Sequence, residues 1–350
     1  MKREISLSEG HYILPLPLKK QIQKVSTAGE RDASQREELI LSTHDGDLSA
    51  EEKVERTERM SNQIKKQDNI RRVKIVSPEN LKESLAEAES NTDVVAMPNN
   101  KENVLHRLKW VKKRMRKEEV FCKEYCEFMK KLFKAGHARK VPKERLSERA
   151  WYIPHHGVYH PAKKKLRVVF DCSAELDGVS LNSMLLQGPD FMNSMLGVLV
   201  RFRTGLIPVM ADIEAMYYQV KIPEEHCRFF WWEGGDLNKE PVECEMCVHP
   251  FGAISSKNCV IFALHQNAFD NQRMFGDEAM KTLLQDFYVD DMLKADDNQD
   301  EIIKLLGNII GMCGEGGCNI TQFVCPNSDV LNTIPEEKRS KEHGPIQQEA

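Results

Sequence analysis

The sequence predicts an α+β protein, and three observations carry that prediction. From Trp151 onward, extended apolar runs and helix-length amphipathic runs interleave along the chain, the pattern of helices packed on sheet layers. Just ahead of them, between Lys101 and Ala150, two stretches carry apolar residues at helical spacing. Earlier still, no Phe, Trp or Tyr occurs between Tyr12 and Trp110, so a large part of the N-terminal region cannot build a core of its own.

The elements follow in order. Residues 1–20 hold a short apolar and proline-rich segment, Gly10 to Pro17. From Gln21 to Asn100 there are 12 Lys/Arg against 16 Asp/Glu, a net of −4, with short apolar pieces at Ile70–Val76 and Leu81–Ala88. Such a composition buries too little apolar surface to offset the entropy of ordering. Residues 21–96 are therefore expected to be a largely disordered charged linker or insert with one or two transient helices. Lys101 to Ala150 reverses the charge, with 17 Lys/Arg against 7 Asp/Glu, a net of +10. Val104, Leu108, Val111 and Met115, then Tyr125, Phe128, Met129 and Leu132, recur at helical spacing and predict two amphipathic helices in a basic arm over 97–150. Its charge is either a solvated face or an electrostatic footprint for phosphates, which binds without reading sequence.

The aromatic and proline run Trp151–Pro161 cannot be helical; Lys163-Lys164-Lys165 and the strand-like Leu166–Asp171 follow. This hairpin reads two ways: as an edge protected by lysines, or as a basic clamp for triphosphate oxygens. Leu181–Leu186 precedes a break at Gln187–Asp190, and Phe191–Phe202 has the periodicity of a helix. Val209–Ala211 reads as a strand ending at Asp212. Ala215–Val220 follows as a turn with a second extended piece, then a strand, turn and strand over Phe229–Trp232, Glu233–Asp236 and Val242–Val248. The loop His249–Ala253 feeds a helix from about Ser255 to Phe269, with Ser255 or Ser256 as cap. Met280–Gln285 and Glu301–Met312 read as further helices on either side of a hairpin at Tyr288. The folded region is expected to span 151–335, with a disordered tail over 336–350.

Composition excludes several classes. Ten cysteines, scattered from Cys122 to Cys325 without framework spacing, point to free thiols in a reducing compartment. Cys244 and Cys247 with His249 resemble half a zinc site, but no second ligand pair follows at finger spacing. No basic-then-apolar leader and no run of roughly 18 apolar residues occurs, so an intracellular protein, cytoplasmic or nuclear, with no membrane partner is expected. The overall charge of −4 and pI near 6.3 do not announce a nucleic-acid binder; the uneven distribution of charge does. Nothing in the sequence sets an oligomeric state.

The chemistry concentrates in Tyr288-Val289-Asp290-Asp291 and, far upstream, in Asp212. Phe287, Tyr288 and Val289 before the acid pair, and Met292 and Leu293 after it, are apolar or β-prone. Two adjacent carboxylates in such a stretch need a compensating charge. Neighbouring residues on a strand point to opposite faces, so both acids converge on one ion only where the chain bends, as at a hairpin tip. Divalent cations such as Mg²⁺ take oxygen ligands and leave positions for phosphates. A pair of them roughly 4 Å apart activates a hydroxyl and stabilises the leaving group of an in-line displacement. The plain alternative is solvated turn chemistry, which Asp favours.

Several blocks, in order, resemble the reverse transcriptase region of Pao/BEL-type LTR retrotransposon polyproteins. They include Gly136-His137-Ala138-Arg139, Trp151–Pro161, Arg167–Ala174, Ser180-Leu181-Asn182, Leu185–Asp190, Ala211–Met216, Phe251-Gly252-Ala253 and Tyr288–Asp291. The resemblance runs from about Met97 to Arg339, with Gly10–Pro17 as a separate match. It implies a right-hand polymerase with fingers and palm, the palm an antiparallel sheet backed by helices. It further implies that Asp212, Asp290 and Asp291 are catalytic and hold two Mg²⁺, with Asp212 and Asp290 the direct ligands. Tyr217 matches the position whose ring packs under the incoming sugar and rejects a 2′-hydroxyl. Arg167, with Lys165, falls where fingers contact triphosphate, and Phe251 and Gly252 match the loop beside the nascent base pair. The expected partners are an RNA or DNA template-primer and deoxynucleoside triphosphates.

The chain also departs from that pattern. It inserts the charged tract before Met97, carries Lys257 where proline is usual, and has Thr321-Gln322-Phe323 where a Lys-Trp pair is usual. It ends at Ala350, before a primer-gripping hairpin, thumb, RNase H or integrase, which leads to the expectation of a truncated RNA-directed DNA polymerase. The competing expectation is a catalytically inactive, domesticated or relic nucleic-acid-binding module that keeps the basic arm.

Overall fold

The computed structural model describes residues 5–17, 97–146, 150–161, 164–223 and 227–341; the tract expected to be disordered over 21–96 lies outside them. Within the described residues the architecture is α+β, with sheet pairings antiparallel except for one parallel pair. The side chains gather into two hydrophobic cores.

The N-terminal segment forms a hairpin, β1 (Ser6–Ser8) and β2 (His11–Ile13), turned through Glu9 and Gly10, both at positive φ. The basic arm contains α1 (Lys101–Lys117) and α2 (Glu119–Lys134). Of the positions selected by helical spacing, Val104, Leu108, Val111 and Met115 on α1 and Tyr125, Met129 and Leu132 on α2 are buried, while Phe128 is half-buried against the same core; Phe121, which was not among them, is buried as well. Glu102 in the first turn of α1 and Arg114, Arg116 and Lys117 in its last turn complement the helix dipole. Asn100, at the N-cap position, does not cap; its side-chain amide pairs with the backbone of Tyr152 at 2.7 and 2.9 Å instead. That exchange stitches the start of α1 to the strand beyond it.

Strand β3 (Ala138–Lys140) follows, then β4 (Trp151–Tyr152), β5 (His155–Tyr159) and β6 (Leu166–Phe170). After α3 (Leu181–Met184) and α4 (Met195–Phe202) come β7 (Ile207–Ile213), β8 (Cys227–Trp231) and β9 (Val242–Met246). The first core packs α1 and α2 against the sheet β3-β9-β8-β4 and the β5–β6 hairpin. Tyr125 is its centre, stacked on Trp231 with centroids 5.6 Å apart and hydrogen-bonded to Nδ1 of His155. His155 Nε2 donates in turn to the Phe230 carbonyl, so the buried ring is held neutral. Arg228 and Glu243, both buried, pair at 3.3 Å, and Tyr152 and Lys101 complete the carboxylate's partners.

The helix expected from Phe191 starts only at Met195. Asn193 is diverted to donate to the carbonyls of Leu284 and Phe287 at 3.0 and 2.9 Å, a tertiary demand that outweighs local periodicity. Later helices are α5 (Ser256–Phe275), α6 (Asp277–Gln285) and α7 (Gln299–Glu315). Ser255 stands at the N-cap of α5 without a capping bond. The short strand β10 (Phe287–Tyr288) turns into β11 (Asp291–Asp296); β12 (Ile320–Val324), α8 (Ser328–Asn332) and a 3-10 turn at Glu336–Lys338 follow, and Arg339 and Ser340, within the stretch expected to be a disordered tail, pair with Phe323 of β12. The sheet order is β10-β11-β7-β12. Val209, Ala211, Ile213, Met292, Ile320 and Phe323 from one face pack with Ile261 and Leu264 of α5 and Ile302, Leu306 and Ile309 of α7 in the second core. The β1–β2 hairpin joins this core through Tyr12, whose hydroxyl donates to Asp270. Among the described residues no helix is long and apolar enough to cross a membrane.

Candidate acidic site

Along β7, burial alternates: Val209, Ala211 and Ile213 face the helices, while Met210 and Asp212 face the other side of the sheet. The antiparallel register sets Asp291 of β11 directly opposite Asp212. Residues paired across antiparallel strands share a face, so both carboxylates stand on the open side. The same register sets Met292 opposite Ala211, and Met292 is fully buried beneath.

Asp290 joins them because the chain bends at the expected place. Tyr288 pairs with Asp291 across a two-residue turn made of Val289 and Asp290. Val289 has φ of 60°, an unusual value for a β-branched residue, as at the first position of a type II′ turn. The Asp290 carbonyl accepts from the Ile213 amide at 3.0 Å, tying the turn to the end of β7. The result is one cluster: a carboxylate oxygen from each of Asp212, Asp290 and Asp291 lies within 4.8 Å of the others.

The electrostatics agree with the geometry. Burial, then the charges of Asp290, Asp291 and Glu214, push the Asp212 carboxyl up to about 6. Asp291 is also raised, by burial and then by Asp290. Among the described residues no lysine or arginine forms an ion pair with any of the three. Three hard oxygen donors, crowded and without a protein cation, are the donor set that Mg²⁺ prefers, so these residues fit a divalent ion.

Tyr217 stands beside the acids, and Phe251 beside Tyr217. Tyr217, on the turn after β7, is pushed upward in pKa by burial and then by Asp290, and its ring meets Phe251 edge to face at 5.2 Å. Phe251 is otherwise 60% exposed. Gly252 follows at φ of +111°, where a Cβ would sit 3.1 Å from the Phe170 carbonyl; both the conformation and the space call for glycine. The structure thus brings together Asp212, Asp290, Asp291, Tyr217, Phe251 and Gly252. Lys165 and Arg167 lie on the exposed side of the β5–β6 hairpin and make no side-chain hydrogen bond or ion pair among the described residues. Phe170, at the end of the strand that carries Arg167, has its carbonyl against Gly252.

Sequence reasoning assigned no role to Asn182, which the fold makes a clamp. Its amide donates to Ser173 Oγ and to the Gly252 carbonyl, both at 3.0 Å, and its oxygen accepts from the Ile254 amide at 2.9 Å. Glu214 likewise has no role by sequence; its carboxylate accepts from the Asn319 amide at 2.7 Å, and Asn319 in turn accepts from Lys338. Only the tertiary contacts single out these two residues.

No protein-family profile matches the chain, and no curated protein matches it. Among solved structures it is similar to the foamy viral protease-reverse transcriptase in complex with double-stranded DNA, at 17% identity and a TM-score of 0.40, over 54% of this chain and 28% of that one. It is similar also to the foamy viral protease-reverse transcriptase in complex with an RNA/DNA hybrid, at 17% identity and a TM-score of 0.40, over 55% and 22%. The chain spans about a fifth to a third of the length of the structures it matches.

Proposed function

We propose that this chain is the reverse transcriptase region of a Pao/BEL-type retrotransposon polyprotein, an RNA-directed DNA polymerase that uses Asp212, Asp290 and Asp291 to hold two Mg²⁺. The convergence of these three acids on one open sheet face, with Tyr217 beside them and Phe251 against Tyr217, is the observation that carries the reading. When bound, the ions would lower the barrier to attack by a primer 3′-hydroxyl on an incoming nucleotide and neutralise charge on the departing pyrophosphate.

The protein's own share is positioning. The β7–β11 register holds Asp212 and Asp291 on one face, and the Val289 turn carries Asp290 to the same place. Preorganised donors of this kind spend no reorganisation energy during the reaction. Tyr217 supplies a ring under the sugar, where it would reject a 2′-hydroxyl. Phe251 and Gly252, held by Asn182, form a floor beside the nascent base pair. Arg167 and Lys165, exposed and without acidic partners among the described residues, are free to meet triphosphate oxygens.

The test is extension of a labelled primer on RNA and on DNA templates with Mg²⁺. Incorporation is expected, and Asp290→Asn should abolish it while leaving template-primer binding intact. Failure of the purified protein to add any nucleotide at enzyme excess would withdraw the polymerase reading.

A further inference from the structure

The outer face of α1 carries a feature that the acidic site does not use. Helix α1 has eight Lys/Arg and one acidic residue, Glu102. Its other large apolar side chains turn inward, with Val104, Leu108, Val111 and Met115 at 8% exposure or less, yet Trp110 is 63% exposed. At about 100° per residue, Trp110 lies roughly 130° round the helix from that buried face and Lys113 roughly 170°. His106, Trp110, Lys113 and Lys117 therefore form one stripe, flanked by Lys109, and all five are exposed. The Lys113 ammonium sits 5.5 Å over the Trp110 ring. Among the described residues none of Lys109, Lys113 and Lys117 has a carboxylate partner. An exposed indole among unneutralised cations has two unmet demands, an apolar face and an anion.

We propose that this face of α1 binds single-stranded nucleic acid, with Trp110 as a stacking platform for an unpaired base and Lys109, Lys113 and Lys117 as contacts for the flanking phosphates. Stacking on an aromatic ring combined with a basic track is the chemistry by which single strands are held without reading sequence. A duplex presents base edges rather than base faces, so it meets the lysines but not the indole. An anionic lipid surface would satisfy the charges but supplies no planar ring to stack on the tryptophan, and an acidic peptide would supply one only through an aromatic side chain of its own. The location also suits a strand on its way to or from the acids. Arg107 of α1 pairs with Asp171 at 3.3 Å, and the neighbouring Phe170 carbonyl lies against Gly252. No residue of the acidic cluster takes part, so the inference stands or falls apart from the polymerase reading.

The intrinsic fluorescence of the full chain tests it. Of the four tryptophans, Trp151, Trp231 and Trp232 are 5% exposed or less, so iodide quenching reports on Trp110. Addition of a 20-nucleotide dT or rU strand is expected to protect Trp110 from iodide, the two arms separating DNA from RNA; a 20-base-pair duplex should protect far less. By fluorescence anisotropy with labelled strands, Trp110→Ala should weaken single-strand binding on the order of tenfold, with Trp110→Phe close to wild type. The double substitution Lys113→Ala/Lys117→Ala should lower the salt dependence of single-strand binding by about 1.4 in log–log slope. All these positions are exposed, and unchanged melting temperatures check that the variants fold. Unaltered single-strand affinity in Trp110→Ala, or iodide access undiminished by either strand, would overturn the proposal. Protection by phosphatidylserine vesicles but not by oligonucleotides would overturn it in favour of a lipid surface. Asp290→Asn keeps the two readings distinct: it should remove incorporation and leave Trp110 protection as it was.

Discussion

Replacing Asp212 with asparagine tests whether the acidic cluster is a built cation site or solvated turn chemistry. Burial and three neighbouring acids raise the Asp212 carboxyl from 3.8 to about 6, which at 1.36 kcal/mol per pKa unit is about 3 kcal/mol of unfavourable ionisation at neutral pH. Asp212 is only partly buried, and solvent screening reduces that to about 1–2 kcal/mol. Asn keeps the shape and removes the charge. In EDTA at pH 8, where the carboxylate is ionised, Asp212→Asn is therefore expected to melt above the wild type. The gain should be a few degrees, since about 1 kcal/mol moves Tm by roughly 2–4 °C in a domain of 150–250 residues. Added Mg²⁺ or Mn²⁺ should raise the wild-type Tm, because an ion bound only by the native state stabilises it, and should raise that of the variant much less. Differential scanning calorimetry of both proteins with and without the cation measures all four values. A variant that melts below the wild type in EDTA, or that gains as much from Mg²⁺, would refute the reasoning.

Tyr217→Ala should admit ribonucleotides by opening the space under the sugar, seen as a rise of at least tenfold in ribonucleotide over deoxyribonucleotide incorporation; an unchanged ratio would make Tyr217 a core tyrosine. Asn182→Ala removes two hydrogen bonds to the Gly252–Ile254 loop and a third to Ser173 and should raise the nucleotide KM with little change in melting temperature, whereas a KM equal to wild type would deny it a positioning role. His155 and His249 are both lowered to about 4 by burial, whereas the unfolded chain takes up these protons near 6.5. The unfolded state then binds more protons between pH 6.5 and 4. Stability should be complete above about pH 6.5 and fall on acidification by up to about 3 kcal/mol per histidine, more than the opposing relief at Asp212. Urea unfolding at pH 7.5 and 5 checks the sign, and a more stable protein at pH 5 would contradict it.

Much of the local structure was legible because it depends on residues close in sequence. The inward faces of α1 and α2 followed from spacing, since burial on a helix repeats with its turn. The bend at the acid pair followed from alternation, since two adjacent carboxylates cannot share a strand face. The start of α4 did not: Phe191–Phe202 has an unbroken helical pattern, and only the carbonyls of Leu284 and Phe287 reveal why Asn193 stays out of the helix. The same holds for the interior use of His249, whose ring meets the Leu14 carbonyl across 235 residues of sequence.

By itself the sequence determined which faces are apolar, where charge accumulates and which acids flank a bend, because those properties are set by neighbours a few residues away. Tertiary structure alone decided that Asp291 stands opposite Asp212, that Phe251 meets Tyr217 and that Asn182 pins the Gly252–Ile254 loop. Register across a sheet is selected by burying the whole inner face at once. Such a choice depends on every residue of that face, Ala211 and Met292 included, and no local pattern carries it.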